Sequence, residues 1–138
     1  MTTDIKTIAS LVATQVWCNG EYTEVEVETT EEIAEAFELP IEEFKGLVND
    51  CIAHIETLDE DAITRFLEEN AEKVADEDVA QIYEALMQMA LCDGELTEDE
   101  VNNLLVVADA LDIEKTTAVL LLCDLVKEDP ELEISFNE

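Results

Sequence analysis

Basic residues, histidine, glycine and proline are all scarce in this chain of 138 residues. It holds six Lys and Arg together, one His, three Gly and two Pro. Each shortage closes a class of function. There is no glycine-rich loop of the kind that cradles phosphates. The single histidine, His54, stands in Cys51-Ile52-Ala53-His54-Ile55 with no Ser or Cys placed beside it as a nucleophile, so no acid–base or nucleophilic constellation assembles around it. It sits one step off an apolar stripe, as a boundary residue does. The four cysteines form no CxxC pair and have no companion histidines at zinc spacing. Long apolar runs are missing too. The longest, from Ala118 to Cys123 and on through Leu125 and Val126, is far too short to span a bilayer. The opening MTTDIKTIAS has no basic stretch followed by an apolar one, so no cleavable signal is expected. The expectation is a cytoplasmic protein with reduced thiols, Cys51 and Cys123 serving as small core residues and Cys18 and Cys92 as helix-packing residues.

Against those six cations stand 37 Asp and Glu, for a formal net charge of −31. A field of that sign repels phosphate backbones and anionic lipid, so neither nucleic acid nor membrane insertion is expected. Cations, basic proteins, or water and salt alone remain. Carboxylate pairs occur everywhere and therefore identify no catalytic couple. Hydrophobic residues make up 48% of the chain, too many for a disordered acidic tail and enough for one domain spanning residues 1–138.

The apolar spacing is helical nearly throughout. Ile5, Ile8, Val12 and Val16 mark a first helix ending near Trp17, and Thr23 caps a second carrying Thr30, Ile33, Ala34 and Phe37 inward. Pro40 suits the first turn of a third helix, where Phe44, Val48, Cys51 and Ile55 form a stripe. A fourth helix, with Ile63, Phe66, Leu67 and Val74, bridges to a second half in which the pattern restarts at Val79 and again at Val101. The seventh helix, about Lys115 to Lys127, is apolar on almost every face and is expected to be the most buried. Pro130 breaks the pattern, leaving a tail over 128–138 that frays or packs as an extended cap. The fold class is all-α, with seven helices.

The chain also contains one segment twice. Residues 17–39 and 91–113 align without gaps at an offset of 74 (Cys18 to Cys92), with nine of 23 positions identical. Two three-helix units, about 5–56 and 79–130, related by a pseudo-twofold and joined by the bridging helix, are therefore expected. The repeated turn reads Cys92-Asp93-Gly94-Glu95-Leu96-Thr97-Glu98-Asp99-Glu100 in the second copy and Cys18-Asn19-Gly20-Glu21-Tyr22-Thr23-Glu24-Val25-Glu26 in the first. It matches the second half of an EF-hand loop, with acid, Gly, aliphatic and Glu at the proper places. The first half fails, because Met89 and Leu91 would stand at the first ligand positions. A true EF-hand is excluded.

Two explanations of the turn stay open. Thr97-x-x-Glu100 and Thr23-x-x-Glu26 are both capping boxes, which account for Thr and Glu. They do not account for the further acid kept at Glu21/Glu95 and Glu24/Glu98, whose mutual repulsion calls for a cation or abundant solvent. The second turn is the better divalent-ion site, for calcium or magnesium, with Asp93, Glu95 and Glu100 as ligands. In the first, Asn19 offers only a neutral carbonyl beside Glu26. These paired turns, inside an acidic seven-helix chain, resemble the TerB-like tellurite-resistance family over roughly residues 4–126. That resemblance implies acidic, metal-binding sites at Asp93 and Glu100, and at Glu26 in the first copy, with Asn19 departing from the family Asp. It also implies a link to tellurite resistance and stress response, without catalysis. The other reading is an interaction protein whose acidic helix faces, such as Glu24, Glu28, Glu31, Glu32 and Glu35, dock a basic protein partner or imitate nucleic acid. Oligomeric state is not legible in the sequence.

Overall fold

The computed structural model describes residues 3–19, 23–92, 95–128 and 133–135, of which 18–19, 95–97, 125–128 and 133–135 are described as backbone alone. Seven helices follow one another: α1 (Ile5–Asn19), α2 (Glu24–Ala36), α3 (Ile41–Ile55), α4 (Glu60–Glu72), α5 (Val79–Leu91), α6 (Glu98–Ala110) and α7 (Lys115–Glu128). A single 3₁₀ turn, Asp76–Asp78, precedes α5. Two three-residue strands, β1 (Glu95–Thr97) and β2 (Glu133–Ser135), pair in parallel, Leu96 opposite Ile134. Among the described residues the architecture is thus all-helical apart from this short pair, in which part of the tail is extended, one of its two expected states, against a strand that the helical pattern did not announce.

The centre of the molecule is α1. Every residue from Thr7 to Val16 is buried, with α3, α4, α5 and α6 packed around it. Its composition permits this, because Ala9, Ser10, Ala13 and Thr14 are small enough for neighbouring helices to approach on all sides. Buried hydroxyls stay satisfied inside their own helix: Ser10 Oγ donates to the Lys6 carbonyl at 2.8 Å, and Thr14 Oγ1 to the Ser10 carbonyl at 2.9 Å. The second core helix is α5, where Ile82, Tyr83, Leu86 and Met89 are all buried. The Tyr83 hydroxyl donates to the Leu104 carbonyl at 2.9 Å, pinning α5 to α6. Burial raises the pKa of that phenol to about 12.

Side-chain hydrogen bonds tie the segment before α1 to the 3₁₀ turn before α5. Asp78 Oδ2 accepts from the Thr3 N–H at 2.8 Å and from its hydroxyl at 2.6 Å, and Thr3 Oγ1 in turn accepts from the Ala75 N–H at 3.0 Å. The third helix matches the expected stripe, with Phe44, Val48, Cys51 and Ile55 buried and Pro40 one residue outside it as the N-cap.

The seventh helix overturns the expectation that it would be the most buried. Only Ala118 is buried along its described side chains, and Leu120 is 61% exposed. Cys123, expected in the core, is exposed, whereas Cys51 is buried as expected, its Sγ 3.5 Å from Ser10 Oγ. The reason is competition for the interior. Helices α1 and α5 hold the centre, so α7 packs mainly on α6, with Ala118 buried and Leu122 half-buried, while Val119, Leu120 and Leu121 face outward.

Helix starts repeat at one spacing: α1, α2 and α3 begin at Ile5, Glu24 and Ile41, and α5, α6 and α7 begin 74 residues later at Val79, Glu98 and Lys115. Helix ends repeat as well. Leu39 N–H reaches back to the Ala34 carbonyl and Ile113 N–H to the Ala108 carbonyl, each at 2.8 Å. Both closures are Schellman motifs, and each places a non-glycine residue in the left-handed region, Glu38 at φ 57 and Asp112 at φ 61.

Candidate functional site

The two acidic turns lie between α1 and α2 and between α5 and α6. Asp93, with Gly94, and the first-copy Gly20 to Tyr22 fall outside the described residues. Asn19 is the last residue of α1, and Glu95 opens β1, both as backbone. The remaining two predicted ligands, Glu26 and Glu100, occupy the third position of α2 and of α6. Each is 1% exposed.

A glutamate that is nearly inaccessible in so acidic a chain needs a stated partner, because an uncompensated buried charge is expensive. Glu26 has one. Its Oε2 accepts from the Thr23 N–H at 3.0 Å and from the Thr23 hydroxyl, the glutamate half of a capping box. The third helical position also faces the positive end of the helix dipole, which favours the carboxylate. The cap expected at Thr23 is therefore present, and the Glu26 carboxylate is engaged by it. Glu100 is engaged by partners of its own. Among the described residues, no group of three or more His, Cys, Asp or Glu side chains is gathered closely enough to hold a metal ion. Asp93 and the Glu95 side chain, the other half of the proposed cation site, lie outside that description.

Between α1 and α6 the structure adds residues that the sequence reading had not singled out. Gln15, one of the buried positions of α1, accepts at Oε1 a 2.7 Å hydrogen bond from Asn103 Nδ2 on α6. Its own Nε2 has no partner among the described residues. Polar residues at inward helical positions are the available signal. Gln15 and Asn103 interrupt otherwise apolar stripes, but only the packing of α1 against α6 brings them together. Asn103 also lines a cavity of about 460 Å³ between α4 and α6, shared with Trp17, Glu60, Asp99 and Val106.

His54 is exposed near the end of α3, and its ring lies 5.5 Å from that of Phe66 at 55°. This is an aromatic edge contact between α3 and α4, in keeping with a boundary residue.

The sequence model of the Tellurite resistance protein TerB family matches residues 6–121, most of the chain and six of its seven helices in full or nearly so. The chain belongs to the TerB family. No curated protein and no solved structure matches it. Membership agrees with the all-helical architecture. None of the helices, among the described residues, is long and apolar enough to cross a membrane.

Proposed function

We propose that this TerB-family chain is a non-enzymatic, cytoplasmic module of a tellurite-resistance or stress-response system that takes a divalent cation, calcium or magnesium, at its second acidic turn. Asp93, Glu95 and Glu100 supply the oxygens. The turn between α1 and α2, with Asn19 and Glu26, is a weaker counterpart, since it has one charge fewer and Glu26 is already committed to its cap. The two turns belong to two three-helix units related by an internal pseudo-twofold, with α4 as the bridge. That reading is supported by the common 74-residue spacing of helix starts and by the matching Schellman closures.

The observation that carries the cation reading is the burial of Glu100 at the mouth of a turn whose sequence adds Asp93 and Glu95. Hard cations are bound by several carboxylate oxygens, and charge count sets affinity. Calorimetric titration of the wild-type protein with calcium, magnesium and manganese tests it. Saturable binding at defined stoichiometry is expected, weakened by Asp93→Asn and by Glu100→Gln and nearly unchanged by Asn19→Ala. Weak heats of undefined stoichiometry for all three ions would leave Glu100 as a helix cap and end the cation reading.

A second reading has its own support. Glu24, Glu28, Glu32 and Glu35 of α2 are exposed, and the nearby cation Lys45 is drawn to Glu31 at 3.1 Å. A surface so short of its own countercharges suits docking of a basic protein partner, or imitation of nucleic acid.

A further inference from the structure

We propose that the groove between α4 and α6 is a docking site for a basic amphipathic segment of a partner protein. The proposal rests on the second reading above and assigns it a surface distinct from the α2 face.

The groove is built by two helix faces in register. On α4, Glu60, Thr64 and Glu68 recur every four residues and so line one rim. On α6, Asp99, Asn102 and Asp109 line the other. Two adjoining cavities, about 460 and 580 Å³, share Thr64, Asn102 and Val106, which makes them one continuous trough. Trp17 stands in one part of it and Ile113 with Lys115 in the other.

Two properties of that lining select the occupant. Four carboxylates, Glu60, Glu68, Asp99 and Asp109, face one cation, Lys115, among the described lining residues. A positively charged ligand is therefore required. The floor, however, is apolar: Ile63, Leu105 and Ile113 are half-buried there, and Trp17 and Val106 remain 36% and 41% exposed. A bare polycation gains nothing from such a floor, whereas an amphipathic segment covers it while its cations reach the rims. Glu60 and Glu68 lie two turns apart, about 12 Å along α4, which suits Lys or Arg side chains eight residues apart on a helical ligand. Trp17 supplies a face for a further cation or an apolar anchor.

Trp17 is the sole tryptophan of the chain, so its fluorescence reports on the groove without labelling. The probe is a tryptophan-free peptide of about 16 residues with Leu at helical spacing and Lys elsewhere. A scrambled peptide of the same composition and spermine serve as controls. The amphipathic peptide is expected to bind and shift Trp17 emission to the blue. Val106→Lys, and separately the pair Glu68→Gln with Asp109→Asn, should weaken binding about tenfold. The pair Glu43→Gln with Asp50→Asn on α3 removes the same charge and should change it less than about twofold. Far-UV dichroism checks that Val106→Lys folds, and the charge pair decides the matter if it does not. Equal weakening by both charge pairs, with Trp17 emission unmoved, would overturn the groove while leaving basic-partner docking elsewhere intact. Equally tight binding of spermine or the scrambled peptide would overturn it as well. No binding of any probe would remove both the groove and the reading beneath it.

Discussion

Replacing Glu26 separates a cap from a ligand, and its cost can be worked from the hydrogen bonds it makes. In Glu26→Ala the Thr23 N–H and hydroxyl lose a charged acceptor. A hydrogen bond to a charged group contributes about 1.5–3 kcal/mol. Thr23 is exposed, so water takes over as acceptor and the loss falls toward the lower bound. Truncating a side chain that is 1% exposed adds about 1 kcal/mol for the space it leaves. The total is about 2–3 kcal/mol. At roughly 2.1 cal/mol/K of unfolding entropy per residue, a chain of 138 residues moves about 3.5 °C per kcal/mol, so Tm should fall by about 7–10 °C. Glu26→Gln keeps an acceptor oxygen at the same place and loses the charge facing the helix dipole, about 1 kcal/mol or 3–4 °C. Differential scanning calorimetry of the three proteins, with and without millimolar calcium, measures both steps. The ranking alanine well below glutamine below wild type, with spacings independent of calcium, is the expected result. If glutamine costs as much as alanine, and both costs appear only with calcium present, the carboxylate acts as an ion ligand and the capping argument is refuted.

Three further outcomes are expected. Raising NaCl should raise the melting midpoint, because a net charge of −31 repels itself in the compact state and a Debye length of about 8 Å at physiological salt screens that repulsion; a falling midpoint in thermal melts would contradict this. The pKa of Tyr83 rises from 10.0 to about 12 in the fold, so its contribution is constant below pH 10 and is lost as pH climbs toward 12, at about 1.4 kcal/mol per pH unit. The stability difference between wild type and Tyr83→Phe, measured by urea unfolding across that range, should shrink accordingly, whereas a constant difference would mean the phenol is not desolvated. Glu38→Gly should stabilise the protein by about 1 kcal/mol, since it relieves a left-handed conformation at φ 57 and takes a negative charge from the end of α2; a drop in the urea midpoint would show that the Glu38 side chain makes a compensating contact.

Local chemistry carried much of this protein into its sequence. Helix positions follow from apolar spacing, and the cap at Thr23 follows from Thr-x-x-Glu, because both depend on residues within one or two turns of each other. The 74-residue offset, visible as Cys18/Cys92 and Ala34/Ala108, is also the spacing between the bounds of α2 and those of α6. What tertiary packing decided is who occupies the middle. Of the seven helices only α7 read as apolar on almost every face, yet α1, read as a one-sided stripe, took the interior. Small residues at Ala9, Ser10 and Ala13 let four helices close upon α1, while the bulkier run Val119-Leu120-Leu121 was left facing outward. The pairing of Glu133–Ser135 with Glu95–Thr97 was equally illegible, since a three-residue strand has no period to detect and its partner lies far away in the chain. The same holds for the α4–α6 groove and for the Gln15–Asn103 hydrogen bond across 88 residues. Contacts of that range depend on how helices cross, and crossing is set by the competition of all seven for one interior.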